Sequence, residues 1–175
     1  NNSNTMDNKG ISKSVKLCSQ LMELHNENPF RTKSIASASF KLDKLPFRIE
    51  EASLEELSAQ PGIGKSTAEK AKEVAATGTF KELEELIENT PSGITEMLTI
   101  KGLGPKKIQI IWKELEIESV GELLYACNEN RLVEAKGFGL KTQEDIKKSI
   151  EFSISNKGWF LYAKALPLAE KFFNE

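Results

Sequence analysis

Three stretches of this chain place one apolar residue between two glycines: "PGIGK" at residues 61–65, "KGLGP" at 101–105 and "KGFGL" at 136–140. The first glycines are residues 62, 102 and 137, so the spacings are 40 and 35 residues. An apolar residue sits five positions before each (Leu57, Met97, Leu132), and a lysine follows the second glycine by one or two positions (Lys65, Lys106, Lys141). Self-similarity at this period marks a repeated supersecondary unit. Helical periodicity flanks every copy, so the unit is helix, tight glycine turn, helix. Helices joined by so short a loop need backbone angles that a Cβ disfavours, and glycine supplies them.

The remainder of the chain also reads as helix, and the fold class it predicts is all-α in two small lobes. Residues 11–25 place Val15, Cys18, Leu21, Met22 and His25 at helical spacing. Asn28-Pro29 interrupts that pattern. A second helix fits 31–41 with Ile35, Ala36 and Ala38 inward, and Pro46 closes the region. A short helix carries Leu54 and Leu57 and ends near Gln60. Another spans 65–77, with Gly78 as its C-cap. Thr79 with Glu82 predicts a capping box for a helix burying Phe80, Leu83, Leu86 and Ile87, and Ser119 with Glu122 predicts a second box. Residues 1–10 read as disordered or a tag remnant, because "NNSNT" precedes Met6. The lobes divide near residues 88–92, where "ENTPSG" supplies turn residues, giving 11–90 and 91–152 as domains.

Composition narrows the partners. No apolar run approaches the roughly 18 residues of a membrane span, and no secretory segment is present. Cys18 and Cys127 lie in apolar stretches and read as free buried thiols of a cytoplasmic, monomeric protein; with His25 as the one histidine they make no zinc site. The net charge of −2 conceals an asymmetry. Residues 1–49 carry 8 Lys+Arg against 4 Asp+Glu, a net +4; residues 50–100 carry 4 against 11, a net −7; residues 101–175 carry 12 against 11, a net +1. A polyanionic partner must therefore meet local patches.

Each glycine turn opens into a helix N-terminus, where N–H groups and the helix dipole favour an anion. A phosphate fits there, and a following lysine adds a point charge. The candidate DNA-contacting residues are Gly62, Ile63, Gly64 and Lys65, then Gly102, Leu103, Gly104, Lys106 and Lys107, then Gly137, Gly139 and Lys141. No side chain in the pattern is shaped to read base edges, so binding would hold backbone without reading sequence. Two other readings stay open: a plain tight turn between packed helices, and a helical module whose hairpins contact protein.

"PGIGKSTAEKA" and "KGLGPKKIQII" resemble the two helix-hairpin-helix motifs of family X DNA polymerases, the family of polymerase beta. "KGFGLKTQEDI" resembles a further glycine hairpin of the bacterial branch, as does "NPFRTKSIASAS" near the start. The resemblance runs from about residue 11 to 152. It implies a deoxyribose-phosphate lyase-like domain followed by a DNA-gripping subdomain, acting in DNA repair on gapped or nicked duplex. The stretch "WFLYAKALPLAEKFF" resembles the entry into the family's catalytic palm, which makes 153–175 the start of a truncated palm in a chain that continues beyond Glu175.

The resemblance also implies site residues. The family's Schiff-base lysine lies six residues after the second glycine of the first hairpin, which is Lys70 here, preceded by Glu69. Attack on an abasic-site aldehyde needs a neutral amine, which nearby positive charge or burial favours; Lys65 and Lys72 would supply the charge by sharing a pocket. The family's phosphate-binding tyrosine is replaced by Phe30, and two supporting lysines by Asn26 and Ser66, for which Arg31, Lys33 and Lys65 are candidate substitutes. His25 falls where the family stacks a histidine on a template base. Family hairpins hold Na+ or K+ through loop carbonyls, which here belong to Ser58, Gln60 and Ile63, and to Leu98, Ile100 and Leu103. The Asp-x-Asp pair that binds Mg2+ in the palm is absent, since the aspartates are Asp7, Asp43 and Asp145; a phosphoesterase domain would need several histidines. Trp112 and Trp159 read as core or interface aromatics, and "KELEELIE" as a solvated acidic face turned away from DNA.

Overall fold

A computed structural model describes residues 6–165, with side-chain surroundings as far as Asn156. Among the described residues all regular structure is helical and no strand occurs. The elements are α1 (Asn8–Leu24), α2 (Pro29–Asp43), a 3-10 turn (Ile49–Glu51), α3 (Leu54–Ser58), α4 (Lys65–Thr77), α5 (Lys81–Glu88), α6 (Ser92–Met97) and α7 (Pro105–Gln109). A π-helical turn (Ile110–Glu114), α8 (Val120–Asn128), a second 3-10 turn (Leu132–Glu134) and α9 (Leu140–Ala165) complete them. Two compact units result, the first ending at Thr95 and the second starting at Glu96. The division falls inside α6, a few residues beyond the "ENTPSG" turn.

In the first unit α1 is the central helix and packs on α2, α4 and α5. Its inward stripe is Ile11, Val15, Cys18, Leu21, Met22 and Leu24, each at most 1% exposed. Burying one such aliphatic side chain stabilises the fold by about 1.5–3 kcal/mol. The chain is ordered well before residue 11. Asp7 caps α1 by accepting from the Gly10 N–H at 2.8 Å. Asn8 donates to Phe47 O at 2.7 Å and accepts from Ile49 N at 2.9 Å, tying the loop after α2 to the start of α1. Residues 7–10 are thus part of the fold and not disordered.

Helix α2 starts with Pro29 at its first position, capped by the Asn28 side chain. It buries Thr32, Ile35, Ala38, Ser39 and Leu42; Ala36 faces solvent, one helical step off that stripe. Gly78 ends α4 with φ 88°. The Thr79–Glu82 capping box does not form: Phe80 is the N-cap of α5, and the Glu82 carboxylate turns to Arg31 instead. Ile87 is 40% exposed, because the inward face of α5 is completed by Leu83 and Leu86. A box the sequence reading passed over does form, with Ser53 and Glu56 at the start of α3.

In the second unit α8 packs on α9, and Ile108, Ile111, Leu123, Ala126, Leu132 and Ile150 are fully buried. The N–H of Leu115 reaches Ile110 O at 3.1 Å, a π-type bond. Trp112 lies in this turn, 9% exposed, and donates from Nε1 to Glu118 Oε2 at 3.1 Å. Ser119 caps α8, but the Glu122 carboxylate accepts from the Glu118 N–H, so that box is half formed. Cys18 and Cys127 are buried free thiols. Burial pushes the Cys18 thiol up to about 12 and that of Cys127 up to about 11. The Trp159 side chain and residues 166–175, part of the proposed palm entry, lie outside the described residues.

Candidate nucleic-acid interface

The three glycine motifs fold into one turn repeated three times. The apolar residue five before the first glycine is buried in each: Leu57, Met97 and Leu132. Its carbonyl accepts from the residue three on: Gln60 N at 3.0 Å, Ile100 N at 3.0 Å and Ala135 N at 3.1 Å. A second such bond follows, from Ile63 N to Gln60 O, Leu103 N to Ile100 O and Phe138 N to Ala135 O, at 3.1, 3.1 and 3.2 Å. Between them the first glycine takes φ of 86°, 91° and 91° at Gly62, Gly102 and Gly137, the left-handed region that a Cβ strains. The residue between the glycines turns inward: Ile63, Leu103 and Phe138 are 2%, 5% and 4% exposed. Ile63 and Leu103 therefore serve as anchors of the turn, their side chains in the core and their N–H groups closing the loop.

The second glycine opens the next helix. Its carbonyl accepts the first helical bond in each copy, from Ala68, Ile108 and Gln143, at 2.9, 3.0 and 2.9 Å. Gly64 and Gly104 are extended N-cap residues with no side-chain cap, which presents the backbone itself at the helix start. A Cβ at Gly64, Gly104 or Gly139 would meet nothing within 4 Å. The lysines differ among copies. Lys65 and Lys106 are exposed and Lys107 is half-buried. Lys141 pairs with Asp145 at 3.1 Å, one turn along α9, so the third hairpin's cation is shared with a carboxylate. Gln143, 4% exposed, bonds Asn130 Oδ1 and the Val133 N–H, fixing the approach to the third turn.

Lys70 lies on the first unit's α4 with its side chain 15% exposed. Its Nζ donates to Ser66 Oγ at 2.9 Å and stands 3.7 Å from Glu82 Oε1. Arg31 grips the same carboxylate with two bonds of 2.7 Å. The hydrogen bond from Arg31 holds the Glu82 carboxyl below the usual range. The structure thus joins Lys70, Ser66 and Arg31, and adds Glu82, from a run read as a solvated face. No local spacing marks that pair, since 51 residues separate Arg31 from Glu82.

Lys72 is not in this cluster. Its Nζ donates to the carbonyls of Ala52, Glu50 and Ile49 at 2.6, 3.1 and 3.3 Å, closing the 3-10 turn. Two residues along a helix turn the side chain through about 200°, which takes Lys72 to another face. A pocket shared by Lys65, Lys70 and Lys72 is therefore not formed, and Arg31 is engaged by Glu82 rather than held ready for a phosphate. Phe30 is 84% exposed at the start of α2. Asn26 has φ 56° and follows the end of α1. His25 caps α1, and its Nε2 lies 2.8 Å from Thr90 Oγ1. That hydroxyl donates to Leu86 O at 2.6 Å, so it accepts the proton on Nε2.

Among the described residues no group of three His, Cys, Asp or Glu side chains is placed to hold a metal ion, and no helix is long and apolar enough to cross a membrane. Residues 6–80 match a helix-hairpin-helix domain family, and residues 94–151 match a SAM-like helix-hairpin-helix tandem. The chain is 30% identical over 145 residues to "DNA polymerase/3'-5' exonuclease PolX" of Bacillus subtilis (strain 168). That alignment covers 83% of this chain and 25% of the relative, so the chain spans about a quarter of the relative's length.

Proposed function

Since this chain belongs to the helix-hairpin-helix region of the family X DNA polymerases, we propose that it grips the sugar–phosphate backbone of gapped or nicked duplex DNA without reading base sequence. The observation that carries this reading is the threefold turn with one hydrogen-bond scheme. Each copy buries its apolar residue and brings a bare glycine backbone to the start of a helix. Such a surface approaches a phosphate closely, and the helix dipole favours the negative charge. Lys106 and Lys107 add positive charge beside the second turn. The carbonyls of Gln60 and Ile100 each accept an N–H and have a second lone pair. Together with those of Ser58, Ile63, Leu98 and Leu103 they are the carbonyls that would hold a Na+ or K+ ion between loop and phosphate.

The test is binding of the 175-residue chain to a gapped duplex across a salt series. Affinity falls with a log–log slope of about −0.9 per phosphate contact, and the Lys106→Gln, Lys107→Gln variant has a shallower slope. A salt-independent affinity, or equal slopes for variant and wild type, overturns the reading.

A second reading, 5′-deoxyribose-phosphate lyase activity, is favoured by one observation: the shielded Lys70 Nζ sits between Ser66 and the Glu82 carboxylate. Neutral Lys70 would add to the sugar aldehyde and lose water to form the Schiff base. Removal of a proton from the adjacent sugar carbon then breaks the C3′–O bond and releases the 5′-phosphate end of the DNA. Glu82, 3.7 Å from Lys70 Nζ, is the carboxylate that would take that proton. Borohydride trapping on 5′-deoxyribose-phosphate DNA checks it: wild type traps and Lys70→Ala does not. Absence of trapping in the wild type leaves the DNA-gripping function alone.

A further inference from the structure

The first hairpin differs from the other two in one respect that its own sequence does not show. A Cβ built at Gly62 would lie 2.5 Å from Cδ and Nζ of Lys41 and 2.7 Å from Cε, whereas a Cβ at Gly102 or Gly137 would meet nothing within 4 Å. The Lys41 side chain, from the last turn of α2, therefore lies across the bare face of the first glycine turn and carries its ammonium there. We infer that Lys41 is the phosphate ligand of the first hairpin, a DNA-backbone contact supplied to the turn from a different helix. This inference rests on the DNA-gripping reading above and names the residue through which one hairpin carries it out.

Charge explains why the cation comes from outside. The first hairpin lies within residues 50–100, a segment of net charge −7, and Glu55 and Glu56 stand on the helix entering the turn. Lys65 is its one lysine near the loop, since Ser66 is bonded to Lys70, and Lys72 is locked on the 3-10 turn. The second hairpin has Lys106 and Lys107 on its own helix. Lys41 belongs to residues 1–49, of net charge +4, and folding brings it to an acidic stretch that a phosphate would otherwise avoid.

The neighbouring cations are occupied. Lys44 is 3.9 Å from Asp43 and lies 5.4 Å from the centre of the Phe40 ring, and Arg48 is 2.7 Å from Glu50. Lys41 is exposed, and among the described residues no carboxylate pairs with it. Lysine suits the position as a compact charge on a long stem, and Gly62, whose φ of 86° itself favours glycine, leaves the stem room to lie against the turn.

The experiment compares the 175-residue wild type with Lys41→Gln, Lys41→Arg, and Lys106→Gln with Lys107→Gln. Fluorescence anisotropy on a labelled one-nucleotide-gapped duplex is read from 0.05 to 1 M KCl. Loss of one phosphate contact makes the log–log slope of Lys41→Gln shallower by about 0.9, which is about eightfold weaker binding at 0.1 M if the lines meet at 1 M. Lys41→Arg keeps the wild-type slope. A wild-type slope in Lys41→Gln, alongside a shallower slope in the Lys106/Lys107 variant, overturns the role of Lys41 and leaves the hairpin reading standing. Wild-type slopes in both variants overturn the two together.

Discussion

Replacing Lys72 by methionine separates the two lysines that sequence places two residues apart. The Lys72 ammonium donates to three carbonyls, at 2.6, 3.1 and 3.3 Å, and is the cation that closes the turn Ile49–Glu51. Methionine retains an unbranched stem but removes all three donors, leaving part-buried carbonyls without that partner. Hydrogen bonds from a charged donor contribute about 1.5–3 kcal/mol, and three on one ammonium are not additive, so a total loss of roughly 2–4 kcal/mol is expected. At about 4–8 °C per kcal/mol for a domain of this size, the Tm of the first unit falls by at least about 8 °C. Lys70→Met removes one bond, to Ser66, and one carboxylate neighbour, and lowers Tm far less. Thermal unfolding followed by circular dichroism at pH 7 reads both variants. If Lys72→Met melts with the wild type, the three contacts contribute nothing, and the assignment of Lys72 to structure and Lys70 to the site is refuted.

The paired glycines have separable roles. Gly102→Ala puts a Cβ at φ 91° and costs about 1–2 kcal/mol of stability. Gly104→Ala, in extended backbone with open space around it, leaves stability unchanged but weakens DNA binding by holding the backbone off the phosphate; thermal melts and anisotropy on one sample check both. The depressed Glu82 carboxyl gives a pH signature. Its stabilisation is present above the unfolded value of about 4.3 and is lost as pH falls through the lower folded value, so Glu82→Gln flattens Tm against pH below about pH 4.5. For Cys18, pushed up to about 12, stability is full below about pH 8.5 and declines as pH rises from there toward 12. At pH 8 the folded protein accordingly shows no thiol reaction with Ellman's reagent, and the denatured chain shows two per molecule.

Local signals carried well from sequence to structure. Gly78 ends α4 in the left-handed region, Asn28-Pro29 separates the first two helices, and the three glycine pairs each make the turn that their spacing implied. These depend on residues within one turn of each other, so periodicity and backbone preference suffice. Contacts between distant segments were not legible. Glu82 satisfied the pattern of a capping box, yet a guanidinium brought by α2 competes for the same carboxylate and wins with two short charged bonds. Lys72 resembled a pocket lysine because its neighbours in sequence are lysines, while its partners are carbonyls 20 to 23 residues away. Lys41 carried no signal at all, because its meaning is set by a glycine 21 positions later. In each case the competition is decided by the packing of α2 and α4 around α1, which a single-sequence reading of helix boundaries does not contain.

The two successive turn bonds in each hairpin have a thermodynamic consequence. A loop already closed by its own N–H groups, with its apolar residue seated in the core, has little conformational freedom left to lose when a ligand arrives. Association then avoids much of the ordering entropy that flexible binding loops incur. The residue between the glycines is buried in every turn, and Leu140 beside the third is the large apolar side chain left exposed. Calorimetry should therefore report a small heat-capacity change and an entropy dominated by ions displaced from the DNA. Each hairpin built this way would meet the DNA backbone as a preformed surface.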